Sequence, residues 1–198
     1  MTKYILNSGG LKANTERSKA YFAELLEGLG NKPKLLWCFF ATLPDDCEVR
    51  FERYTKLFES RMPENVHPLN ENARVESFEE QVKKADAIYL HGGRIAPLYE
   101  ILEKYDIAQL FAGKSVGTNS ASSMVLAEAA WSCDEREATK GLGFFPFKYL
   151  AHYQSDYGAD DPRGPINWDQ AYKDLEEFGD VNLPMHALKE GEFIIIKK

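Results

Sequence analysis

The chain has 198 residues, 31 acidic and 24 basic, with a net charge of −7 and 44% apolar and 13% aromatic content. Area scaling gives about 33,000 Å² for the unfolded chain and about 9,500 Å² for the folded one, so about 70% of the surface can be buried in a full core. The acidic balance argues against a generic nucleic-acid binder, the apolar content against disorder, and the lack of any apolar run of about 18 residues against a membrane span. Met1-Thr2-Lys3-Tyr4-Ile5-Leu6 lacks the long apolar stretch and cleavage site of a signal peptide. Cys38, Cys47 and Cys133 form neither a disulfide framework nor a CxxC pair, so a reducing cytoplasm is the expected location.

Apolar runs alternate with helical patterns, which predicts an α/β fold. Tyr4 to Asn7 reads as a first strand, stopped by Gly9-Gly10. Tyr21, Phe22, Leu25, Leu26 and Leu29 form the stripe of an amphipathic helix ended by Gly28 and Gly30. Leu35 to Ala41 is continuously apolar, the mark of a strand buried on both faces. Asp45 or Asp46 would cap a second helix with Phe51, Tyr54, Leu57, Phe58 and Met62 inward. Val66 to Leu69 is a short strand that Pro68 assigns to an edge, and Ser77-Phe78-Glu79-Glu80 reads as a capping box. Ala87 to Leu90 is a fourth strand, running into His91-Gly92-Gly93, and Pro97 suits the first turn of a helix to about Tyr105. Ser115 to Thr118 is a fifth strand, followed by a helix of small residues from Ser120 to Ala130. Gly141 to Tyr153 is aromatic and glycine-punctuated, Gly158 to Asn167 is a polar loop, and Asp169 to Phe178 looks helical. Leu183 to Leu188 and Phe193 to Lys198 suggest a closing hairpin around Glu190-Gly191. The pattern implies one mostly parallel sheet with helices on both faces.

Sites in such sheets form outside the carboxyl ends of the strands. Two ends stand out: Leu90-His91-Gly92-Gly93-Arg94 and Val116-Gly117-Thr118-Asn119-Ser120-Ala121-Ser122-Ser123. The second has the small residues that a nucleophile elbow needs two before and two after its apex, next to a helix N-terminus that favours developing anions. With Ser120 at the apex the flanks are Thr118 and Ser122; with Asn119 they are Gly117 and Ala121. A tight turn with Asn119 or Ser120 as N-cap has the same composition. Gly92-Gly93 would let backbone N–H groups approach an oxyanion. GxGxxG and GxxxxGK[ST] are absent, and no HxxxH or HxH pair occurs among the four histidines, so neither a nucleotide cofactor nor a metal is expected. Ser120, Asp134 and His152 follow one another in the order Ser…Asp…His, with Ser120 as nucleophile, His152 as base and Asp134 as the group that orients the imidazole. Glu135 and Glu137 are alternatives for the acid. None of the cysteines lies at the elbow, which weighs against a cysteine-dependent amidotransferase.

Four segments in order resemble the peptidase E family of serine peptidases, which includes aspartyl dipeptidase and the related cyanophycinases. Ile88-Tyr89-Leu90-His91-Gly92-Gly93-Arg94 resembles the family's strand ending in Gly-Gly-Gly-Asn, and Gly117 to Val125 its Ser-Ala-Gly-Ala elbow. Gly141-Leu142-Gly143-Phe144-Phe145-Pro146-Phe147 is similar to its Gly-Leu-Gly-Leu-Leu-Pro, and Ala151-His152-Tyr153 to its Pro-His-Tyr, which holds the catalytic histidine. The resemblance implies one class I glutamine-amidotransferase-like, flavodoxin-like α/β domain over residues 1–198. It also implies hydrolysis of small peptides, including those with N-terminal Asp, by Ser120, His152 and Asp134. The Gly93 and Ala121 N–H groups would stabilise the oxyanion, and Gly92, Arg94 and Arg163 would contact substrate, Arg163 by pairing with a carboxylate. The departures are His91 and Arg94 at the glycine strand and Ser122 where the family has Gly. Aligning Gly117-Thr118 with the Gly-Thr before the family's nucleophile puts Asn119 in its place, and implies an inactive homologue that binds a small ligand. The expected partner is a small peptide or ligand, with no nucleic acid and no membrane, and the chain a monomer or homodimer.

Overall fold

A computed structural model describes all 198 residues. Strand β1 (Lys3–Asn7) leads to helix α1 (Thr15–Leu26), β2 (Lys34–Cys38), α2 (Cys47–Glu59), β3 (Leu69–Asn72), α3 (Phe78–Lys84) and β4 (Ala87–Leu90). Then come α4 (Ile95–Leu102), α5 (Ile107–Leu110), β5 (Ser115–Asn119), α6 (Ala121–Leu126), β6 (Ala127–Ser132), β7 (Glu137–Lys140) and β8 (Phe145–Leu150). Helix α7 (Trp168–Glu177) and strands β9 (Met185–Ala187) and β10 (Phe193–Lys197) complete the chain. The central sheet has the order β10-β1-β5-β4-β2-β3, parallel except for β10, which runs antiparallel to β1. A second sheet has the order β7-β6-β8-β9.

The central strands β1, β2, β4 and β5 are buried along nearly their whole length because both their faces are covered. Tyr4, Leu6, Leu36, Cys38, Ile88, Leu90 and Val116 point into one core of 27 buried residues, shared with α3 to α6 and with Phe145, Phe147 and Tyr149 of β8. Their neighbours Ile5, Leu35, Trp37, Ala87 and Tyr89 point the other way, into a core with α1 and Phe58 of α2. This is the period-two alternation of a strand filling two cores at once. Asn14 caps α1 by accepting from Arg17 N at 3.0 Å, and Asn167 caps α7 by accepting from Gln170 N at 3.1 Å. The exposed area is 9986 Å², close to the scaling expectation.

Several expectations are corrected. Ser77 makes no capping hydrogen bond; Glu79 and Glu80 instead pair with Lys83 at 3.0 and 2.9 Å. The helix expected over Ser120 to Ala130 ends at Leu126, and Ala127–Ser132 is strand β6. Local alanine propensity loses there to tertiary pairing. Residues 141 to 143 dock on the junction through Gly141 N to Glu128 O, Leu142 N to Val125 O and Gly143 N to Ala127 O, and β6 lies between β7 and β8. The closing hairpin does not form either. β9 adds parallel to β8, whereas β10 crosses to the edge of the central sheet beside β1, where Ile194 and Ile196 pack on the large core. The expected single sheet is therefore two.

Two consequences of this packing are measurable. A Cβ at Gly117 would run into the Tyr21 hydroxyl, which is fully buried and donates to Thr118 O at 3.0 Å. Gly117→Ala is expected to lower unfolding free energy by about 1–3 kcal/mol in urea titrations, as overpacking does, and unaltered stability would contradict this packing. His91 is 6% exposed, packs on Tyr54 at 4.3 Å and Phe39 at 5.0 Å, and is pushed down to about 3 by burial and then by the Arg50 charge. An unfolded histidine takes up its proton near pH 6.5, so the unfolded state binds more protons between there and about pH 3. His91 thus contributes stability above pH 6.5 that is lost as pH falls, at up to about 1.4 kcal/mol per pH unit. His91→Phe should flatten the stability profile between pH 6.5 and pH 4.5, and an equally steep wild-type-like profile would contradict it.

Candidate active site

The carboxyl ends of β1, β2, β4 and β5 open on one cleft of about 430 Å³, lined by residues including Gly9, Arg50, Gly93, Asn119, Ser120 and His152. This is where a parallel sheet leaves room for a ligand. Asn119 is the last residue of β5, and Ser120 stands at the apex of the turn with φ 53° and ψ −111°. A non-glycine residue with positive φ carries strain of about 1–3 kcal/mol, and such strain collects at functional sites.

The turn is held by the small polar residues that follow it. Ser120 N donates to Asn7 O at 2.8 Å. Asn119 N donates to Ser122 Oγ at 2.7 Å, and that hydroxyl donates to Leu90 O at 2.7 Å. Ser123 Oγ donates to Asn7 O at 2.8 Å and meets Thr118 Oγ1 at 2.6 Å. Ser122 and Ser123 are fully buried, so the residues that depart from the Ser-Ala-Gly-Ala pattern tie the elbow to β4 and β1. The Asn119 register does not occur: Asn119 continues the strand, with its Oδ1 buried and unpaired.

Ser120 Oγ lies 2.7 Å from His152 Nε2. On the other side of the ring, Nδ1 bonds the Glu190 carboxylate. His152 comes just after β8, and its N–H donates to Ser8 Oγ at 2.7 Å; Ser8 in turn donates to Leu188 O at 2.7 Å. One serine at the end of β1 thus fixes both the histidine and the segment carrying Glu190. Gly191 N donates to Gly9 O at 2.8 Å, closing the same turn. A Cβ on Gly9 would fall inside the imidazole and one on Gly10 would strike Glu190, and both glycines have positive φ, 132° and 73°. The Gly9-Gly10 pair that ends the first strand is what lets the backbone approach these two side chains.

The expected acid is corrected. Asp134 does not reach His152; its Oδ1 accepts from the Tyr157 hydroxyl at 3.0 Å. Neither does Arg163 reach for a ligand. Its guanidinium is engaged by Asp161 at 2.9 and 2.7 Å and by Asp134 O at 2.7 Å, and Asp161 is lowered by those same Arg163 hydrogen bonds. Gly92, Gly93 and Arg94 line the cleft, and the Gly92 and Gly93 N–H groups donate to no protein acceptor. Ala121 is the first residue of α6, so its N–H has no acceptor within the helix. Helix α6 is only six residues long, which leaves individual N–H groups rather than a macrodipole to act on an anion. Arg50 and Arg94 also face the cleft and form no ion pair within the chain, whereas Arg163 does.

Glu190 is the residue that sequence reasoning missed. Its signal was an acid inside the Lys189-Glu190-Gly191 turn, read as a hairpin tip. Cys38 and Cys133 are buried, with thiols pushed up by burial, and neither lines the cleft; no three His, Cys, Asp or Glu side chains converge as a metal group. No helix is long and apolar enough to cross a membrane.

The fold has known counterparts. A peptidase from an acI-B1 Actinobacterium superposes with a TM-score of 0.69 at 19% identity, covering 100% of this chain and 84% of the other. A "Putative Peptidase E Protein" from Listeria monocytogenes EGD-e superposes at 0.65 and 16% identity, covering 99% and 94%. At these identities the likeness is one of fold, a mostly parallel sheet flanked by helices. No match was found among the curated proteins. The model of peptidase family S51 matches residues 4–198, essentially the whole of the sequence, and the chain belongs to that family.

Proposed function

We propose that this chain is a serine peptidase of small peptides, with Ser120 as nucleophile, His152 as general base and Glu190 as the carboxylate that orients the imidazole. The observation that carries the reading is the continuous hydrogen-bonded line from Ser120 Oγ through both His152 nitrogens to Glu190, with Ser120 strained at the apex of its turn. A serine hydroxyl is a weak nucleophile until a base at hydrogen-bond distance takes its proton, and the base needs a third group to fix its tautomer.

In this reading, Ser120 Oγ attacks the scissile carbonyl while its proton passes to His152 Nε2. The oxygen of the tetrahedral intermediate lies against the N–H groups of Gly93 and Ala121, which are free of other partners. His152 gives the proton to the departing amine, leaving an ester on Ser120. A water then attacks that ester, its proton goes to His152, and Ser120 leaves with it. Glu190 stabilises the imidazolium in both halves.

Arg94 and Arg50 supply unpaired positive charge for an acidic side chain, which supports a preference for peptides with N-terminal Asp. The volume of about 430 Å³ suits a dipeptide or tripeptide better than a folded protein.

Initial-rate measurements on aspartyl dipeptides test the assignment. Ser120→Ala should lower kcat/KM by about 10³-fold or more, and Glu190→Gln by about 10²–10⁴-fold. Asp134→Asn should cost about tenfold or less, since it does not touch the reacting line. Full activity in Ser120→Ala would overturn the reading, and a larger loss at Asp134 than at Glu190 would overturn the assignment of the acid.

A further inference from the structure

The two hydrogen bonds of the His152 imidazole are made at its ring nitrogens, in the plane of the ring, and Gly9 packs close to Cε1. In-plane contacts fix where the ring sits but resist out-of-plane rocking poorly. A contact on the face is needed for that. Tyr157 supplies one: its ring lies 4.1 Å from the imidazole, centroid to centroid, at an interplanar angle of 25°.

Tyr157 is 38% exposed, yet it is tethered. Its hydroxyl donates to Asp134 Oδ1 at 3.0 Å and its N–H to Ser155 Oγ at 3.2 Å. Burial first, and then the Asp134 charge, push its ionisation up, so the hydroxyl stays a donor. The loop between β8 and α7 that carries it is pinned at several points. Trp168 Nε1 donates to Ser155 O at 3.0 Å, and Arg163, held by Asp161, donates to Asp134 O at 2.7 Å. Asp134 and Arg163, which have no direct place in the hydrogen-bonded line, are thereby accounted for.

We propose that Tyr157 is a positioning residue, whose ring, anchored through its hydroxyl to Asp134, holds the His152 imidazole flat between Ser120 and Glu190. The inference rests on the serine-peptidase reading for its kinetic consequence, though not for the stacking itself. The histidine must meet the serine, then the leaving amine, then water, all at Nε2. A ring free to rock spends time out of line, which lowers kcat without altering substrate affinity. The π face also attracts the imidazolium that forms at each proton transfer.

Kinetics on an aspartyl dipeptide and proton NMR of the His152 ring test this together. Tyr157→Leu should lower kcat by about 10–100-fold with KM within about threefold, the cost of a misplaced catalytic group. Tyr157→Phe keeps the stacked face but loses the anchor to Asp134, and should fall in between, about three- to tenfold below wild type in kcat. The His152 ring-proton signals, assigned with a His152→Gln variant, should be shifted upfield by the tyrosine ring current. They should move downfield in Tyr157→Leu and much less in Tyr157→Phe. Wild-type kcat in Tyr157→Leu, equal impairment of Tyr157→Phe and Tyr157→Leu, or His152 signals that do not respond to Tyr157→Leu would each overturn the proposal. If Tyr157→Leu does not fold, Asp134→Asn decides. By loosening the anchor it should lower kcat about three- to tenfold and shift the same signals part of the way, and unaltered signals would overturn the proposal. The NMR readings need no turnover, so an inert wild-type enzyme would refute the peptidase reading while the stacking is still decided.

Discussion

Ser120 holds a backbone conformation that its own side chain resists, and the rest of the site depends on that conformation being kept. Strain of about 1–3 kcal/mol would relax in a pliant turn. Here it is overruled by hydrogen bonds reaching from three strands. Asn7 O of β1 accepts from both Ser120 N and Ser123 Oγ, Leu90 O of β4 accepts from Ser122, and Thr118 of β5 meets Ser123. All of these partners are in or beside the core, where an unmade hydrogen bond would leave a costly orphan. The elbow is therefore part of the sheet's own hydrogen bonding, and it cannot relax without disturbing β1 and β4.

The second requirement is convergence from far apart in sequence. Ser120 comes from the central sheet, His152 from the end of β8 in the other sheet, and Glu190 from the segment that connects the two sheets. Ser8 joins them, accepting from His152 N and donating to Leu188 O. The departure of the chain from a simple closing hairpin matters for this reason. Because β9 stays with β8 and β10 crosses to β1, residues 188 to 192 must pass over the end of β1, which brings Glu190 to the imidazole. Gly9 and Gly10 leave the space in which the two side chains meet.

Much of this was legible in the sequence because it is written in short-range pattern. The central strands show as apolar runs, and β4 was bounded correctly because both its faces are buried and glycines end it. The elbow and the glycines at 92 and 93 were legible because such turns require small residues at fixed spacing, which left Ser120 and Asn119 both open as its apex; His152 came from chain order and from the likeness of Ala151-His152-Tyr153 to Pro-His-Tyr. What stayed hidden depends on long-range partners. Ala127 to Ser132 carries helix-forming alanines and is a strand only because β7 and β8 flank it. Asp134 was a reasonable acid by chain order, but order says nothing of direction, and its carboxylate turns to Tyr157. Glu190 lay in a segment whose local pattern is that of a turn, and the partner that gives it meaning is 38 residues away. Arg163 looked available because its partner Asp161, two residues earlier, closes on it only when the loop is folded.

The central claim is that Ser120 is an activated nucleophile. The most direct measurement is covalent labelling of the intact protein with a fluorophosphonate, followed by mass spectrometry of its peptides. The account predicts a single stoichiometric adduct on Ser120, with fluoride released, that is lost in Ser120→Ala and strongly slowed in Glu190→Gln. An unlabelled protein, or an adduct on another serine with Ser120 untouched, would contradict it.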